Sequence, residues 1–225
     1  MNAPVSSPLP RGLYVLCDDT LRPDVPLALK AQWLLAGGAR VVQLRMKRTP
    51  LREALAAARE VVAACRRVGA VCLINDRVDL ALLSGAQGVH VGEEDLPPEA
   101  ARALLGPQGV VGVTVRDVAG ARAARDAGAD YVGVGPVFGT TTKQVNAPVL
   151  GLEGFAAVVR ASPLPVVGIG GVTLENIAEV AAAGAHGGAV ASDALLAEDV
   201  PARVRRLAAA FDRGARGTSL ADGGV

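Results

Sequence analysis

Short runs rich in valine alternate along the chain with longer segments rich in alanine, leucine and arginine. The short runs are apolar at nearly every position, which is typical of parallel strands buried on both faces, and the longer segments carry apolar residues at helical spacing. The pattern predicts strands at residues 13–18, 41–47, 71–76, 88–91, 110–115, 131–137, 165–170 and 188–191. It predicts helices at residues 25–36, 51–68, 80–84, 98–105, 118–127, 154–161, 174–183 and 201–213.

Eight strand–helix pairs indicate an α/β protein, and the simplest closed arrangement of eight is a single (β/α)8 barrel, the TIM-barrel architecture. An open doubly wound sheet is the alternative. We favour the barrel because the count reaches eight and no Gly-x-Gly-x-x-Gly sequence follows the first strand. We therefore expect one barrel domain over residues 11–216, with flexible segments at 1–10 and 217–225.

The composition narrows the class of protein. The 225 residues are 51% apolar, which excludes intrinsic disorder, and 23 basic side chains against 22 acidic ones give a formal net charge of +1. That balance argues against nucleic acid or a membrane surface as a partner. The three cysteines lack metal-ligand spacing, and the first residues lack the basic start and apolar core of a signal peptide, so we expect none. No apolar stretch of about 18 residues occurs, so we expect no membrane span. We expect buried thiols in a cytoplasmic protein.

In a barrel of this kind the active site lies at the carboxyl ends of the strands, called the mouth below, so polar residues where each valine-rich run stops are candidates. The second run ends with Gln43, Arg45 and Lys47 at alternating positions, which places all three on one face of the strand. Inside a barrel these groups would be costly without a partner, whereas they suit an anionic ligand such as a phosphate. Surface cations that extend into solvent are the alternative. Lysine is also rare in this chain, which has 20 arginines and three lysines, Lys30, Lys47 and Lys143.

The third and fourth runs end near carboxylates. Asn75 and Asp76 close the third run, and Asp95 follows shortly after the fourth. Carboxylates at neighbouring strand ends can share Mg²⁺, which takes one or two of them together with phosphate oxygens and water. Asp95 could instead cap the helix that begins after it, and the residues alone leave both explanations open. His90 lies inside an apolar run without a second ligand at metal spacing, so we expect it in the core.

Two further regions carry groups suited to a phosphate. The sixth run leads into a loop that offers hydroxyls, backbone N–H groups and an ammonium, although its order is not that of a Walker A loop. The loop contains Thr140, Thr141, Thr142 and Lys143. The seventh run ends in Gly170 and Gly171, the eighth leads into Ser192, and loops at these places in barrels often bind phosphate. A plain threonine-rich turn and a tight glycine turn are the alternatives.

Together these groups suggest two different phosphate sites. A cationic site with a metal suits a diphosphate, and a neutral site built from amides and hydroxyls suits a monophosphate. The pattern therefore favours transfer from a diphosphate donor to a phosphorylated acceptor, without naming either substrate.

Five stretches of the chain resemble the thiamine-phosphate synthase family, in the order in which that family carries them. They are residues 42–47 (VQLRMK), 73–81 (LINDRVDLA), 88–97 (GVHVGEEDLP), 133–143 (GVGPVFGTTTK) and 168–173 (GIGGVT). The resemblance implies a transferase of thiamine biosynthesis. It would join a hydroxymethylpyrimidine diphosphate to a thiazole phosphate, or to the carboxylated form, and release thiamine phosphate and pyrophosphate. It also implies Mg²⁺ as a cofactor, and breakage of the C–O bond to pyrophosphate largely before the thiazole nitrogen attacks.

By position in these motifs, the resemblance implies a role for each site residue. The pyrimidine diphosphate would be bound by Gln43, Arg45, Lys47, Asn75, Thr114 and Lys143. Among these, the catalytic candidates are Arg45, Lys47, Thr114 and Lys143. The thiazole phosphate would be bound by Thr140, Thr141, Thr142, Gly171, Ala191 and Ser192. Mg²⁺ would be held by Asp76 and Asp95.

Several positions depart from the family pattern. Thr114 replaces a serine, Glu93 a glutamine, Arg116 a histidine and Ala191 a larger aliphatic residue. Met46 replaces a commonly acidic residue, but alternation turns it away from the face of the cations.

Two other functions are alternatives. One is a related isomerase that aromatises the thiazole phosphate and lacks much of the diphosphate and metal apparatus. The other is a non-catalytic sensor of phosphate ligands on the same barrel. The state of assembly is open, and a homo-oligomer is one possibility.

Overall fold

Eight parallel strands close into a barrel in the computed structural model of the chain, which describes residues 8–139 and 148–221, with side chains as far as residue 217. The strands are β1 (Gly12–Asp18), β2 (Val41–Arg45), β3 (Val71–Asn75), β4 (Gly88–Val91), β5 (Val110–Val115), β6 (Tyr131–Val134), β7 (Val166–Gly168) and β8 (Gly187–Val190). Each strand pairs with the next one in the sequence, and β8 pairs with β1. The predicted (β/α)8 barrel is therefore confirmed, and an open sheet is excluded.

Helices separate the strands as the pattern predicted, except that the short helix at residues 192–195 was not predicted. Within the described ranges they are α1 (Leu27–Ala36), α2 (Leu51–Arg67), α3 (Val78–Ser84), α4 (Pro98–Leu105), α5 (Val118–Asp126), α6 (Gly151–Ala161), α7 (Ile177–Ala182), α8 (Ser192–Leu195) and α9 (Val200–Ala221). Helix α9 continues past the predicted end at residue 213, although glycine at position 214 disfavours a helix. Gly214 instead permits close packing, since a Cβ there would lie 2.1 Å from the carbonyl oxygen of Ala178 in α7.

Apolar side chains form one layer outside the strands and another inside the barrel. The outer layer lies between strands and helices and includes Leu44, with Met46 packed against it, so Met46 does turn away from the cations. The inner layer fills the barrel and includes Tyr14, Leu73 and Tyr131. Alternate side chains of one strand thus enter different layers, as expected for strands buried on both faces.

The chain ends were predicted to be flexible, and that stays a prediction. Leu9 belongs to the predicted segment 1–10, yet its side chain is 2% exposed and packs into the inner layer. Residues 1–7 and 222–225 lie outside the described part. The apolar Leu9 side chain thus extends the packed barrel slightly before the expected start at residue 11.

Two smaller expectations concern the whole chain. All three cysteines are buried, free thiols, as predicted. Among the helices that the structure describes, none is long and apolar enough to cross a membrane.

Candidate active site

Arg45, at the end of β2, is held by Asp18, at the end of β1. The two residues are register partners in this parallel pair, and Arg45 Nη1 donates to Asp18 Oδ2 at 2.7 Å. The other oxygen of the fully buried Asp18 accepts from the backbone N–H of Thr20 at 2.7 Å and from its hydroxyl at 2.6 Å. The Arg45 side chain remains 14% exposed. The guanidinium is therefore oriented and still partly accessible.

Asp19 fixes the loop that carries Lys47. Its carboxylate accepts from the backbone N–H groups of Lys47 at 3.0 Å, Arg48 at 2.7 Å and Thr49 at 2.8 Å, and from the Thr49 hydroxyl at 2.9 Å. Burial acts to raise the pKa of Asp19, but these hydrogen bonds outweigh it and lower the pKa below its usual value. The loop after β2 is thus tied to an ionised carboxylate at the end of β1.

Lys47 extends from this loop to Asp76, which follows β3, and forms an ion pair with it. Asp76 also contacts the carboxyl group of Asp95, from the loop after β4. Burial raises the pKa of Asp76, the Asp95 carboxyl raises it further, and Lys47 opposes both. Two carboxyl groups from neighbouring strand ends therefore lie together beside one ammonium group. These oxygen donors are the kind that a hard divalent cation prefers.

The helix-cap explanation of Asp95 is wrong. Helix α4 has Pro97 as its N-cap residue, and no side chain caps it. Asp95 Oδ2 instead accepts from the Gly92 N–H at 2.7 Å, which holds the carboxyl group within the loop. Within residues 8–139 and 148–217, no cluster of three or more His, Cys, Asp or Glu side chains could hold a metal ion. The pair of Asp76 and Asp95 is thus a candidate only for a metal that takes its other ligands from phosphate and water, as Mg²⁺ does.

A chain of hydrogen bonds crosses the barrel interior. Gln43 Nε2 donates to the Tyr14 hydroxyl at 2.7 Å, and the hydroxyl oxygens of Tyr14 and Tyr131 are 2.8 Å apart. The Tyr131 hydroxyl lies 2.8 Å from His90 Nδ1, and His90 Nε2 lies 2.9 Å from Thr114 Oγ1. Five strands contribute one side chain each, so the chain links Gln43 to Thr114 across the barrel.

This network is buried except at Thr114, which is partly exposed, and its buried polar atoms are paired. Burial raises the pKa of both tyrosine hydroxyls well above the usual value, so both stay protonated. His90 is 8% exposed, which confirms its expected core position, although its partners are polar. Among the described residues, no buried side-chain polar atom lacks a hydrogen-bond partner. A satisfied network of this kind holds its members in one arrangement.

The loops after β6 and β7 pack against each other. The Phe138 N–H donates to the Gly170 carbonyl at 3.0 Å. Gly171 has φ 66°, and a Cβ there would lie 2.4 Å from the carbonyl oxygen of Gly139, so only glycine fits. Asn176 Nδ2 donates to the Gly171 carbonyl at 2.9 Å and fixes the turn. The tight-turn explanation of Gly171 therefore holds, and its phosphate contact stays a prediction.

Ala191 and Ser192 lie where β8 leads into α8. Ala191 is the N-cap residue of this short helix, and Ser192 is its first residue. Asp193 Oδ2 accepts from the Leu174 N–H at 3.3 Å, which ties α8 to the loop after β7. The two segments predicted to bind the monophosphate are thus neighbours at the mouth.

The remaining predicted residues divide into two groups. Asn75 ends β3 and is the register partner of His90 in β4, which places it at the same end of the barrel as Asp76. The loop residues lie outside the described part, so their roles stay predictions: Thr140, Thr141, Thr142 and Lys143.

Sequence reasoning missed the groups that hold the cations. Asp18 and Asp19 close the first valine-rich run, so the rule applied to the other strands would have found them. Tyr14 and Tyr131 carry no such signal, because a tyrosine in an apolar run fits a hydrophobic core equally well. Their hydrogen bonds depend on which strands face each other across the barrel.

The arginine, the lysine and the carboxylate pair at the mouth of this (β/α)8 barrel are groups suited to a phosphorylated small molecule and a divalent cation. The family described as thiamine monophosphate synthase matches residues 13–194. The chain is 72% identical over 214 residues to the thiamine-phosphate synthase of Myxococcus xanthus (strain DK1622). The match covers 95% of this chain and 98% of that protein. The corresponding protein of Anaeromyxobacter dehalogenans (strain 2CP-C) is 46% identical over 210 residues, covering 92% of each.

A solved structure agrees with this relationship. The thiamine phosphate pyrophosphorylase from Pyrococcus furiosus superposes with a TM-score of 0.83 at 36% identity, over 90% of this chain and 96% of that one. The match over residues 13–194 spans well over half of the chain. The chain belongs to the thiamine monophosphate synthase family.

Proposed function

We propose that this chain joins a hydroxymethylpyrimidine diphosphate to a thiazole phosphate, or to its carboxylated form, and releases thiamine phosphate and pyrophosphate. A transferase of thiamine biosynthesis was expected from the sequence, and the family match and the close relatives confirm it. One observation supports the location of this reaction at the mouth of the barrel. Asp76 contacts both Lys47 and Asp95 at the ends of neighbouring strands.

Arg45 and Lys47 would bind the diphosphate, together with Asn75 and Lys143. The positive charges of Arg45, Lys47 and Lys143 would stabilise the negative charge that grows on pyrophosphate as the C–O bond breaks. The ties of Arg45 to Asp18 and of the Lys47 backbone to Asp19 support this role. Groups that are held in place before the substrate arrives need little rearrangement during the reaction.

Asp76 and Asp95 are the residues that would hold Mg²⁺. The contact between their carboxyl groups and the raised pKa of Asp76 support the assignment, because a divalent cation offsets their repulsion. Held by these two residues, Mg²⁺ would act as a Lewis acid toward the leaving pyrophosphate. The paired Lys47 ammonium adds a second positive charge at the same place.

Gln43 and Thr114 would bind the pyrimidine ring. They stand at the two ends of the buried hydrogen-bond network, which fixes their side chains. The network also fills the interior with protein groups, since Tyr14 is 2% and Tyr131 0% exposed. We infer that this keeps water away from the reactive pyrimidine cation.

The thiazole phosphate would bind on the opposite side of the mouth. Gly171, Ala191 and Ser192 supply backbone groups and a hydroxyl there, and the predicted loop residues add Thr140, Thr141 and Thr142. The packing of the loops after β6 and β7 supports this placement, because it brings the two loops together. A phosphate held there would direct the thiazole nitrogen at the carbon that loses pyrophosphate.

Two alternatives are less well supported. An isomerase would not need the cationic side chains that bind a diphosphate, nor the carboxylate pair. The sensor alternative lacks a use for groups that stabilise a leaving pyrophosphate. We further propose a cytoplasmic protein without a nucleic-acid or membrane partner, and the homo-oligomer stays a prediction.

The direct test is a coupling assay. Purified protein is mixed with both substrates, with and without Mg²⁺, and thiamine phosphate is measured as fluorescent thiochrome. We expect product only when both substrates and Mg²⁺ are present, with pyrophosphate released in equal amount. A folded protein that binds either phosphate ligand without forming product would favour the isomerase or the sensor. Full activity without Mg²⁺ would refute the metal assignment alone.

A further inference from the structure

We propose that Asp18 is a positioning residue of the reaction, which acts by orienting the Arg45 guanidinium toward the pyrimidine diphosphate. The proposal rests on the proposed role of Arg45 in binding that substrate. Asp18 belongs to none of the five stretches that resemble the family, and its contact with Arg45 is seen only in the structure.

The carboxylate of Asp18 is an acceptor surrounded by donors. It is 0% exposed. Arg45 Nη1 donates to Oδ2, and the backbone N–H and hydroxyl of Thr20 donate to Oδ1. An asparagine at this position would turn its NH₂ group toward one of these donors, whichever way the amide lies. The site therefore requires two acceptor oxygens, which only a carboxylate provides with this shape.

Lys30 fixes the backbone of Asp18 from the side of α1. Its side chain is 1% exposed, and Nζ donates to the carbonyl oxygens of Asp18 at 3.0 Å and Leu21 at 2.5 Å. A buried ammonium is costly unless hydrogen bonds or opposite charges compensate for its lost hydration, and here two carbonyl oxygens accept from it. The bend after β1 is therefore held at its backbone carbonyl groups by Lys30. Thr20 holds the Asp18 carboxylate in the same bend. Lys30, one of only three lysines, thus supports the mouth without lining it.

The guanidinium geometry explains what this clamp does. The five N–H donors of an arginine lie in one plane in a fixed fork, so fixing one nitrogen limits the directions of the others. Nη1 of Arg45 is committed to Asp18. The side chain keeps 14% of its surface exposed, and the bond through Nη1 would leave Nη2 and Nε for phosphate oxygens. Asp18 would thereby set the orientation of two donors before the substrate binds.

The test compares Asp18→Asn, Arg45→Ala and the double variant with the wild-type protein, by steady-state kinetics with each substrate varied in turn. Asp130→Asn is the matched control, since Asp130 pairs with Arg102 at 2.5 Å and accepts from the Val111 N–H at 2.7 Å. Asp130 precedes β6 and so lies at the end of the barrel opposite the mouth. The Asp130→Asn variant therefore breaks an aspartate–arginine contact of the same kind away from the mouth.

For Asp18→Asn we expect the KM of the pyrimidine diphosphate to rise about tenfold to a hundredfold, with the KM of the thiazole phosphate within about twofold of wild type. In the Arg45→Ala background the same change should add less than about twofold, because residues that act through one another are not additive. Asp130→Asn should leave both KM values unchanged. Equal increases for both substrates, or a full additional effect without Arg45, would mean that Asp18 is merely structural and would overturn the proposal.

Two further results separate the possible failures. If Arg45→Ala leaves the KM of the pyrimidine diphosphate unchanged, the assignment of Arg45 fails and the proposal fails with it. If Arg45→Ala raises that KM but Asp18→Asn does not, only the positioning role is overturned. Should Asp18→Asn not fold, Thr20→Val tests the same idea, because it removes the hydroxyl that donates to the Asp18 carboxylate and leaves Arg45 unchanged. A KM of the pyrimidine diphosphate within about twofold of wild type for Thr20→Val would overturn the proposal, and an increase that disappears in the Arg45→Ala background would support it.

Discussion

Glu93 and Arg116, which the sequence analysis singled out as departures from the family's pattern, form an ion pair with 3.7 Å between Glu93 Oε2 and Arg116 Nη2. Glu93 follows β4, and Arg116 follows the neighbouring strand β5. The side chains are 81% and 48% exposed, so the pair contributes little to stability. The cation instead offsets the negative charge that Glu93 adds near Asp95.

We therefore expect Arg116→Ala to raise the KM of the pyrimidine diphosphate by about twofold to fivefold at low salt, because the negative charge of Glu93 is left unbalanced. The same change in a Glu93→Gln background should have almost no effect. Steady-state kinetics at two salt concentrations measures both variants, with thermal unfolding as the control for folding. An equal effect of Arg116→Ala in both backgrounds would show that the two charges are not coupled.

Thr114 is expected to act through its hydroxyl, which lies 2.9 Å from His90 Nε2. Thr114→Ser keeps the hydroxyl and should retain near wild-type activity. Thr114→Val keeps the shape but leaves the His90 nitrogen without this partner, which should lower the free energy of unfolding by about 1–3 kcal/mol. It should also raise the KM of the pyrimidine diphosphate. Urea unfolding and kinetics distinguish the two variants, and equal behaviour of both would mean that the hydroxyl is not used.

Gly171 is expected to be needed for close packing as well as for its backbone conformation. Gly171→Ala brings a Cβ within 2.4 Å of the Gly139 carbonyl oxygen, so the loops after β6 and β7 must separate. Gly69 is a matched control, because it has a similar φ of 69° but open space around a Cβ. Both variants should lose about 1 kcal/mol of stability from the strained backbone. Only Gly171→Ala should also raise the KM of the thiazole phosphate, and a normal KM would separate Gly171 from that site.

Asp19 gives a pH-dependent contribution to stability. Its pKa is lower in the folded protein, so the contribution is present above the unfolded pKa of about 3.9 and is lost as the pH falls through the folded value. Asp19→Asn should therefore be less stable than wild type at pH 7, by about 1–3 kcal/mol for the lost charged hydrogen bonds. The difference should shrink below about pH 4. Urea unfolding at several pH values tests this, and a difference that does not change with pH would contradict it.

The sequence predicts the barrel and the end at which the site lies. Valine-rich runs separated by helical segments fix the strand count, and parallel strands place every run's end at one mouth. Gln43 and Arg45 follow from alternation along a single strand, whereas Lys47, which was predicted on the same strand, lies in the loop after β2. Asp76 and Asp95 follow from the ends of adjacent strands. These inferences need only local periodicity and the topology of the barrel.

The rest depends on contacts between elements that are distant in sequence. Asp18 meets Arg45 because β1 and β2 are paired in one particular register. Tyr131 meets His90 and Tyr14 only after the barrel closes. Periodicity gives neither a register nor a partner across the barrel, so these polar contacts are not predicted.

The contact between the carboxyl groups of Asp76 and Asp95 supports the metal assignment and hence the placement of the whole reaction. Asp76→Asn is the most direct test. Asparagine tolerates the left-handed backbone that Asp76 adopts, with φ 63°, so the fold should persist. Asp79→Asn, which removes an exposed carboxylate paired with Arg77, is the matched control.

The measurement is the rate of thiamine phosphate formation against Mg²⁺ concentration for wild type and both variants. We expect Asp76→Asn to lose about 100-fold or more in turnover and to need more Mg²⁺ for half of its maximal rate. Its melting temperature should be unchanged or higher, because two repelling carboxyl groups are reduced to one, and Asp79→Asn should match wild type in its Mg²⁺ dependence. A folded Asp76→Asn protein with wild-type turnover and wild-type Mg²⁺ dependence would contradict the placement of the metal and of the diphosphate at this mouth.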